Sequence, residues 1–155
     1  EIKQRIGFVS GGVDAYTRKK LDDLTAVTKR FYPNWDDGAY QRFIQRFALD
    51  GQKTQRQLSA GMRVKYALAL AMSHHAELLI LDEPTSGLDV GAIHKIYTLI
   101  RSMADAGLSV IVISSEFEET HSVADRIIVL NDGCIVGEMD PKQCSWEDAF
   151  ALAVK

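Results

Sequence analysis

The stretch from Leu78 to Asp89, which reads LLILDEPTSGLD, constrains this chain more than any other. Its opening run of four apolar residues, followed by turn-forming residues, is typical of a strand buried on both faces of a parallel sheet. Asp82 and Glu83 follow where the strand ends, and ligands of open α/β sheets bind at that edge. Neighbouring strand residues point to opposite faces, so one carboxylate can hold Mg²⁺ while the other orients or deprotonates a water. The alternative is a strand end without a site, where Pro84 and Thr85 open an ordinary turn.

A second motif precedes this strand, at Leu58-Ser59-Ala60-Gly61-Met62-Arg63. It opens a long helical run, with Ser59 at the N-cap position. A helix N-terminus presents free N–H groups and the positive end of its dipole, which suits a phosphate, and Gly61 lets a ligand approach the backbone closely. An ordinary serine cap would explain Ser59 but not the whole run.

These motifs resemble those of the nucleotide-binding subunits of ATP-binding-cassette (ABC) transporters. Leu58 to Arg63 is similar to the signature motif of that family. Leu79 to Glu83 is similar to its Walker B strand with the catalytic glutamate, and Ser86 to Asp89 to its D-loop. The order and spacing of all three match the family, and the resemblance covers nearly all 155 residues.

The resemblance implies ATP and Mg²⁺ as cofactors and a head-to-tail dimer with a second nucleotide-binding domain. Asp82 would hold Mg²⁺ through water, Glu83 would polarise the attacking water, and Asp89 would communicate between the two sites. Pre-positioned charge does most of the catalytic work in such phosphoryl transfers.

The signature residues would act on the neighbouring subunit. Ser59 and Gly61 are expected to bind the γ-phosphate of ATP held by that subunit. Ala60 stands where the family commonly has a glycine, which is a departure of one methyl group.

Two further positions depart from the family pattern. A glutamine that reaches the Mg²⁺ and the attacking water normally follows the first strand, and Gly11 stands at that place without a side chain. We interpret Gly11 and Gly12 as a flexible loop. Ser115 stands where the family usually has a histidine, and a serine can donate a hydrogen bond but cannot carry a positive charge. Ser115-Glu116 resembles the weaker cassette of tandem sugar-importer ATPases, so hydrolysis is expected to be slow.

The region before the signature is predicted to be helical. Apolar residues spaced three and four apart predict a helix from Tyr16 to Phe31, and Asp36 or Asp37 is predicted to cap a second helix through Phe47. The aromatic residues of the second helix keep the helical period, which favours core packing over base stacking. By resemblance, this is the helical subdomain that contacts the membrane-spanning permease subunit.

The pattern after Asp89 alternates between helices and strands. It predicts a helix over 92–106, a buried strand over 109–114, a hairpin with strands 126–130 and 134–138, and a final helix over 145–154. His74 and His75 are predicted to lie in an exposed connection, and adjacent histidines do not share a helical face for metal binding.

The predicted fold class is α/β, a P-loop NTPase-type core fragment with parallel strands, flanking helices and a C-terminal β-hairpin, carrying an inserted ABC helical subdomain. The domain boundaries expected by resemblance are 1–10 for the core strand that leads to the glutamine-loop position, 11–75 for the helical subdomain with the signature, and 76–155 for the C-terminal part of the ATPase core.

A phosphate-binding loop of the form G-x-x-x-x-G-K-[ST] does not occur in the 155 residues. We therefore expect a C-terminal fragment of a cassette, whose N-terminal segment was lost by truncation or lies on another chain. Alone, such a fragment should bind ATP poorly.

Composition limits the remaining possibilities. The net charge is −3 without a basic run, so no nucleic-acid partner is expected. No apolar run approaches the ~20 residues of a membrane span, so membrane association would come through the permease, at the cytoplasmic face. Cys134 and Cys144 lack metal spacing and are expected to be reduced.

Two alternatives to the transport ATPase remain open. The first is a non-catalytic module that donates its signature to another cassette or regulates it, which the missing phosphate loop, Gly11 and Ser115 favour. The second is a soluble ABC ATPase of translation or DNA repair, which the lack of a basic patch disfavours. The transported substrate and its direction stay open, because Phe31 to Trp35 resembles exporter-like cassettes whereas Ser115-Glu116 resembles sugar importers.

Overall fold

The computed structural model describes residues 2–11 and 16–154. The chain forms two compact units, Glu1–Ile113 and Ser114–Lys155.

The first unit is built on a parallel sheet of three strands in the order β1-β2-β3. These are β1 (Ile6–Ser10), β2 (Leu78–Asp82) and β3 (Ser109–Ile113). In the pairing register, Ser10, Asp82 and Ile113 lie side by side at the ends of the three strands. The carboxyl ends of the strands therefore meet at one edge, as the sequence predicts.

The described residues of the first unit form four α-helices: α1 (Leu21–Thr28), α2 (Asp37–Arg46), α3 (Ala60–Met72) and α4 (Val90–Asp105). Asp36 caps α2 by accepting a hydrogen bond of 2.8 Å from the N–H of Ala39, and Ser59 caps α3. Both capping predictions are confirmed. Gly107 has φ +98° and ends α4.

The first helix is shorter than predicted. Lys20 forms an isolated β-bridge with Thr54, so the segment from Tyr16 to Lys20 is a turn and the helix begins at Leu21. A 3-10 turn over Lys29–Phe31 ends it. Phe31 lies exposed rather than on a buried face.

The core of the first unit lies between β1, β2 and the helices. Leu79 and Leu81 of β2 are fully buried. α3 packs directly on β1, because a Cβ at Gly7 would come within 2.8 Å of the Cβ of Ala71. Glycine at this position lets the helix approach the strand.

β3 is less buried than predicted. Ile111 and Ile113 are 48% and 47% exposed, and Phe8 of β1 is 61% exposed. Phe8, Ile80 and Ile111 form one row across the sheet. This face therefore carries exposed apolar side chains, while the opposite face holds the buried Leu79 and Leu81.

A buried cluster of hydroxyl groups joins the helices that precede β2. We call Thr25, Tyr40 and Tyr66 the hydroxyl cluster. The Thr25 Oγ1 lies 2.8 Å from the Tyr40 hydroxyl and 2.9 Å from the Tyr66 hydroxyl, and the latter donates to the Leu21 carbonyl at 3.0 Å. Burial raises the pKa of both tyrosines, so the cluster is neutral at every physiological pH.

The prediction that His74 is exposed is wrong. His74 is 2% exposed, its ring stacks on Tyr32 with centroids 3.9 Å apart, and its Nδ1 lies 3.2 Å from the Gln4 carbonyl oxygen. Burial lowers the pKa of His74. His75 is exposed, as predicted.

The second unit contains α5 (Phe117–Val123), β4 (Ile127–Asn131), β5 (Cys134–Met139) and α6 (Trp146–Ala153). β4 and β5 pair antiparallel, and both Asp132 and Gly133 of the turn have positive φ. The predicted hairpin is therefore confirmed. Ser145 and Asp148 form a capping box at the start of α6, and Cys134 and Cys144 are free thiols.

Within the described part of the chain, no helix has both the length and the apolar character that a membrane crossing requires.

Candidate functional site

The two neighbouring carboxylates lie at the carboxyl edge of the sheet, where the sequence places them. Asp82 is the last residue of β2, and Glu83 follows it with φ +47°. This left-handed conformation is uncommon for a residue with a side chain. Because Glu83 has left the strand, the alternation of strand side chains does not determine where its carboxylate points.

The backbone on both sides of this carboxylate pair is held by the neighbouring strands. The N–H of Gly11 donates to the carbonyl of Asp82 at 2.8 Å, and the N–H of Glu83 donates to the carbonyl of Ile113 at 2.8 Å. Gly11 is therefore hydrogen-bonded to the end of β2. Gly12 lies outside the described residues.

The turn after Glu83 is anchored in the core. The N–H of Ser86 donates to the Glu83 carbonyl at 3.1 Å. Thr85 is 4% exposed, and its Oγ1 lies 3.4 Å from the hydroxyl of Tyr97 on α4. From the sequence, Thr85 was considered only as part of an ordinary turn, and its contact with Tyr97 was not predicted. The only signal in the sequence for this buried contact was that the turn contains a polar residue, Thr85.

The first turn of α3 carries Ser59, Ala60 and Gly61. The Ser59 Oγ accepts a hydrogen bond of 3.3 Å from the N–H of Met62, and Ser59 itself is exposed. Just behind it, Arg63 donates from Nη1 to the Leu58 carbonyl at 3.0 Å. The helix N-terminus is thus capped by a small side chain that remains accessible from solvent.

Asp89 begins the helix that lies next to this first turn of α3. It caps α4, because its Oδ1 accepts a hydrogen bond of 2.9 Å from the N–H of Ala92. A Cβ at Gly61 would lie 3.9 Å from the Cβ of Ala92 and 3.9 Å from the Cδ2 of Leu88. The structure therefore brings the Ser59–Gly61 turn beside the start of α4.

A small cavity of about 90 Å³ lies between the end of β1, α3 and the turn after β2. Its polar lining comes from the end of β1, the turn before α3, α3 itself and the turn after β2: Ser10, Gln55, Arg63 and Ser86. Ligand pockets for drug-sized molecules are typically about 300–1,000 Å³. This cavity alone is too small to enclose a nucleotide.

Ser115, the remaining site residue predicted from the sequence, belongs to the second unit. It is exposed and lies two residues before the start of α5. The neighbouring Ser114 Oγ accepts a hydrogen bond of 3.1 Å from the N–H of Glu116, which shapes this turn.

Known proteins share both the sequence and the fold of this chain. Residues 49–115 match a family model described as "AAA domain, putative AbiEii toxin, Type IV TA system". An arabinose import ATP-binding protein of Burkholderia ambifaria is 39% identical over 117 residues, which cover 74% of this chain and 22% of the relative. A ribose import ATP-binding protein of Bacillus cereus is 38% identical over 106 residues, covering 68% of this chain and 22% of the relative.

Solved structures agree with these relatives in fold. A structure described as the ATP-binding subunit of an ABC transporter matches 99% of this chain and 70% of its own length, with a TM-score of 0.79 and 17% identity. A subunit of the CbiONQ ABC transporter complex of Clostridium perfringens matches 96% of this chain and 60% of its own length, with a TM-score of 0.76 and 21% identity.

This chain belongs to the ABC ATP-binding family. The predicted α/β fold class, with parallel strands, flanking helices and a C-terminal hairpin, is confirmed by these structures. The chain spans about a fifth of the length of the curated ABC relatives it matches.

The carboxylates of this ABC sequence fit an Mg²⁺ that is shared with a nucleotide. Among the described residues, no group of three or more acidic, histidine or cysteine side chains could hold a metal ion. Mg²⁺ commonly keeps several waters and binds one or two carboxylates together with substrate phosphates. Asp82 and Glu83 can supply such carboxylates, whereas a site made of protein side chains alone does not fit.

Proposed function

We propose that this chain is an ATP-binding and ATP-hydrolysing part of an ABC importer for a sugar, and that it couples hydrolysis to membrane transport. The observation that carries the proposal is the Asp82–Glu83 pair, held at the carboxyl edge of the sheet by hydrogen bonds from Gly11 and to Ile113. The relatives that are about 40% identical are named as arabinose and ribose import ATP-binding proteins, which supports import and a sugar substrate.

The carboxylates have different tasks in this proposal. Bound Mg²⁺ would neutralise charge on the phosphates of ATP. Asp82 holds the hydration shell of the ion, and Glu83 accepts a hydrogen bond from the attacking water and orients it. Ser115 takes the place of a histidine at the γ-phosphate and offers one hydrogen bond without charge. Gly11 contributes its backbone alone.

The signature residues act on ATP bound to a second nucleotide-binding domain in a head-to-tail dimer. Ser59, Ala60 and Gly61 lie at the start of a helix of thirteen residues, where N–H groups and the helix dipole favour an anion. Asp89, next to Leu88, begins the helix beside this turn and links the two sites of the dimer.

A membrane-spanning permease subunit is the further partner, and it would hold the chain at the cytoplasmic face of the cell membrane. The helical region over 11–75 is the part that faces the permease, and 76–155 continues the ATPase core that begins with 1–10. Nucleic acid is not a partner in this proposal, since the net charge is −3.

The test is MgATP hydrolysis by the purified protein and by its Glu83→Gln variant. Removal of a general base or water-positioning carboxylate should lower turnover by about 100-fold or more. Asp23→Asn, which removes an exposed carboxylate on α1, is the control and should leave turnover unchanged. Equal and measurable rates for the protein and the Glu83→Gln variant would contradict the proposal, whereas no hydrolysis by either is the outcome that the second candidate function predicts.

A second candidate function is donation of the signature to another cassette without hydrolysis at the chain's own carboxylates. Two features favour it: Gly11 has no side chain, and Ser115 stands where the family usually has a histidine. In this case the protein and its Glu83→Gln variant would both be inactive, while the protein would raise the turnover of a complete ABC cassette mixed with it.

The Ser59→Asp variant sharpens that mixing experiment. Aspartate caps helices as well as serine does, so α3 should stay folded. Its negative charge would repel the γ-phosphate of the neighbouring cassette and abolish the stimulation. Ser122→Asp, which adds the same charge at an exposed serine of α5, is the control that should still stimulate.

A further inference from the structure

Gly11 occupies a space in which no other residue fits. A Cβ built on Gly11 would overlap the carbonyl oxygen of Glu83 and lie 2.9 Å from its carbonyl carbon. Both obstructing atoms are backbone atoms, so a rotamer change cannot move them away. The same residue donates its N–H to the preceding carbonyl, that of Asp82, at 2.8 Å. The end of β1 thus lies directly against the peptide that joins the two carboxylates.

The conformation of Glu83 is constrained from three further directions. Its N–H donates to Ile113 at the end of β3, and its carbonyl oxygen accepts from Ser86 in the following turn. The next residue, Pro84, has a fixed φ and is less than 2% exposed. These contacts hold Glu83 at φ +47°, which a residue with a side chain adopts only when its surroundings impose it.

We propose that Gly11 is a positioning residue whose missing side chain lets the end of β1 hold Glu83 in its left-handed conformation. This inference rests on the proposed function in one respect, namely that the Glu83 carboxylate acts on water. It differs from the simplest interpretation, in which Gly11 only marks the loss of the family's glutamine. In this chain, the Cβ of a glutamine at position 11 would displace the Glu83 carbonyl and so disturb the position of the Glu83 carboxylate.

The test is amide hydrogen exchange of the ¹⁵N-labelled full chain, followed by NMR without nucleotide. In Gly11→Ala and Gly11→Gln, protection of the Glu83 amide should fall about tenfold or more, and the ¹³Cδ resonance of Glu83 should shift. Amides in the middle of α3, such as those of Leu68 and Ala69, should keep their protection. Ser10→Ala changes the adjacent side chain without adding atoms and should leave both readouts unchanged.

A general loss of stability would lower protection throughout the unit, whereas the positioning role predicts a local loss at Glu83. Unchanged protection of Glu83 in Gly11→Ala would overturn the proposal, and so would equal losses at Glu83 and in α3.

A second variant covers the outcome in which Gly11→Ala does not fold. Adding Glu83→Gly lets the backbone at position 83 move away from the new methyl group, so the double variant should regain a cooperative thermal transition. Failure of this rescue would also overturn the proposal. None of these measurements uses ATP, so their failure is distinguishable from failure of the proposed hydrolysis, which the Glu83→Gln variant tests.

Discussion

Two groups of polar residues in the first unit are built in opposite ways. The hydroxyl cluster of Thr25, Tyr40 and Tyr66 is buried between α1, α2 and α3, and its hydroxyl groups are paired with one another and with a backbone carbonyl. The Asp82–Glu83 pair lies at the carboxyl end of β2 and is partly accessible to solvent, and the backbone of Glu83 is left-handed.

This difference teaches where polar residues serve packing and where they serve chemistry. Buried polar groups stabilise a fold only when their hydrogen bonds are satisfied, and the hydroxyl cluster meets that condition. A carboxylate on a left-handed backbone carries a cost in strain, and such strain is concentrated at functional sites. We therefore expect changes in the cluster to alter stability and changes in the carboxylate pair to alter activity.

The largest expected effect on stability is in the hydroxyl cluster. Tyr66→Phe removes the hydroxyl that bridges Thr25 and the Leu21 carbonyl, which leaves buried groups without partners. The free energy of unfolding, measured with urea, should fall by about 1–3 kcal/mol. Tyr32→Phe is the matched control, because among the described residues the Tyr32 hydroxyl has no hydrogen-bond partner. It should change stability by less than about 0.5 kcal/mol. If Tyr66→Phe and Tyr32→Phe lowered the free energy of unfolding equally, the hydroxyl cluster would have no special role in stability.

The second prediction concerns strain at the carboxylate pair. Glu83→Gly should raise the free energy of unfolding by about 0.5–1 kcal/mol, because glycine adopts a positive φ without steric cost. Glu83→Ala also removes the carboxylate but keeps the Cβ, so it should give no such gain. Both variants should lose any hydrolysis that depends on Glu83. If alanine stabilised the protein as much as glycine does, backbone strain would not be the cause.

The smallest predicted effect is a pH dependence at His74, a buried polar residue outside both groups. Burial lowers the pKa of His74 in the folded protein, so between that pKa and about 6.5 the unfolded chain binds more protons. This contribution to stability is complete above pH 6.5, and it is lost as the pH falls from there through the folded pKa. The slope should be at most about 1.4 kcal/mol per pH unit.

Urea denaturation between pH 7.5 and pH 5.5 measures this effect. His74→Phe keeps an aromatic ring against Tyr32 but cannot titrate, so its stability should vary less over that range. A protein whose pH dependence is the same with and without His74 would contradict the assignment.

The fold could be predicted from the sequence wherever a few neighbouring residues decide the local structure. Asp36 and Ser59 begin helices because their side chains accept hydrogen bonds from N–H groups within the next turn. Asp132-Gly133 makes the hairpin turn because both residues tolerate positive φ. The position of Asp82 could be predicted in the same way, because it ends an apolar strand, while its role in binding stays a prediction.

The predictions that failed depend on residues distant in the chain. Lys20 leaves the helical pattern because it pairs with Thr54, and His74 is buried because Gln4 and Tyr32 lie against it. β3 has the composition of a buried strand, yet Ile111 and Ile113 are exposed, since burial depends on what packs against a face. A periodic pattern carries no information on these contacts.

The sequence alone shows which residues are candidates for binding and catalysis. They are two adjacent carboxylates after a strand and a serine and a glycine at a helix start, in motifs whose order matches that of ABC proteins. The tertiary structure decided how they are held. Only the packing of β1 and β3 against β2 shows that Gly11 and Ile113 hold the peptide of Glu83 on both sides. Residue type and spacing determine hydrogen bonds between residues that are close in the sequence. The backbone conformation of Glu83 is instead imposed by residues of neighbouring strands, which are far away in the sequence.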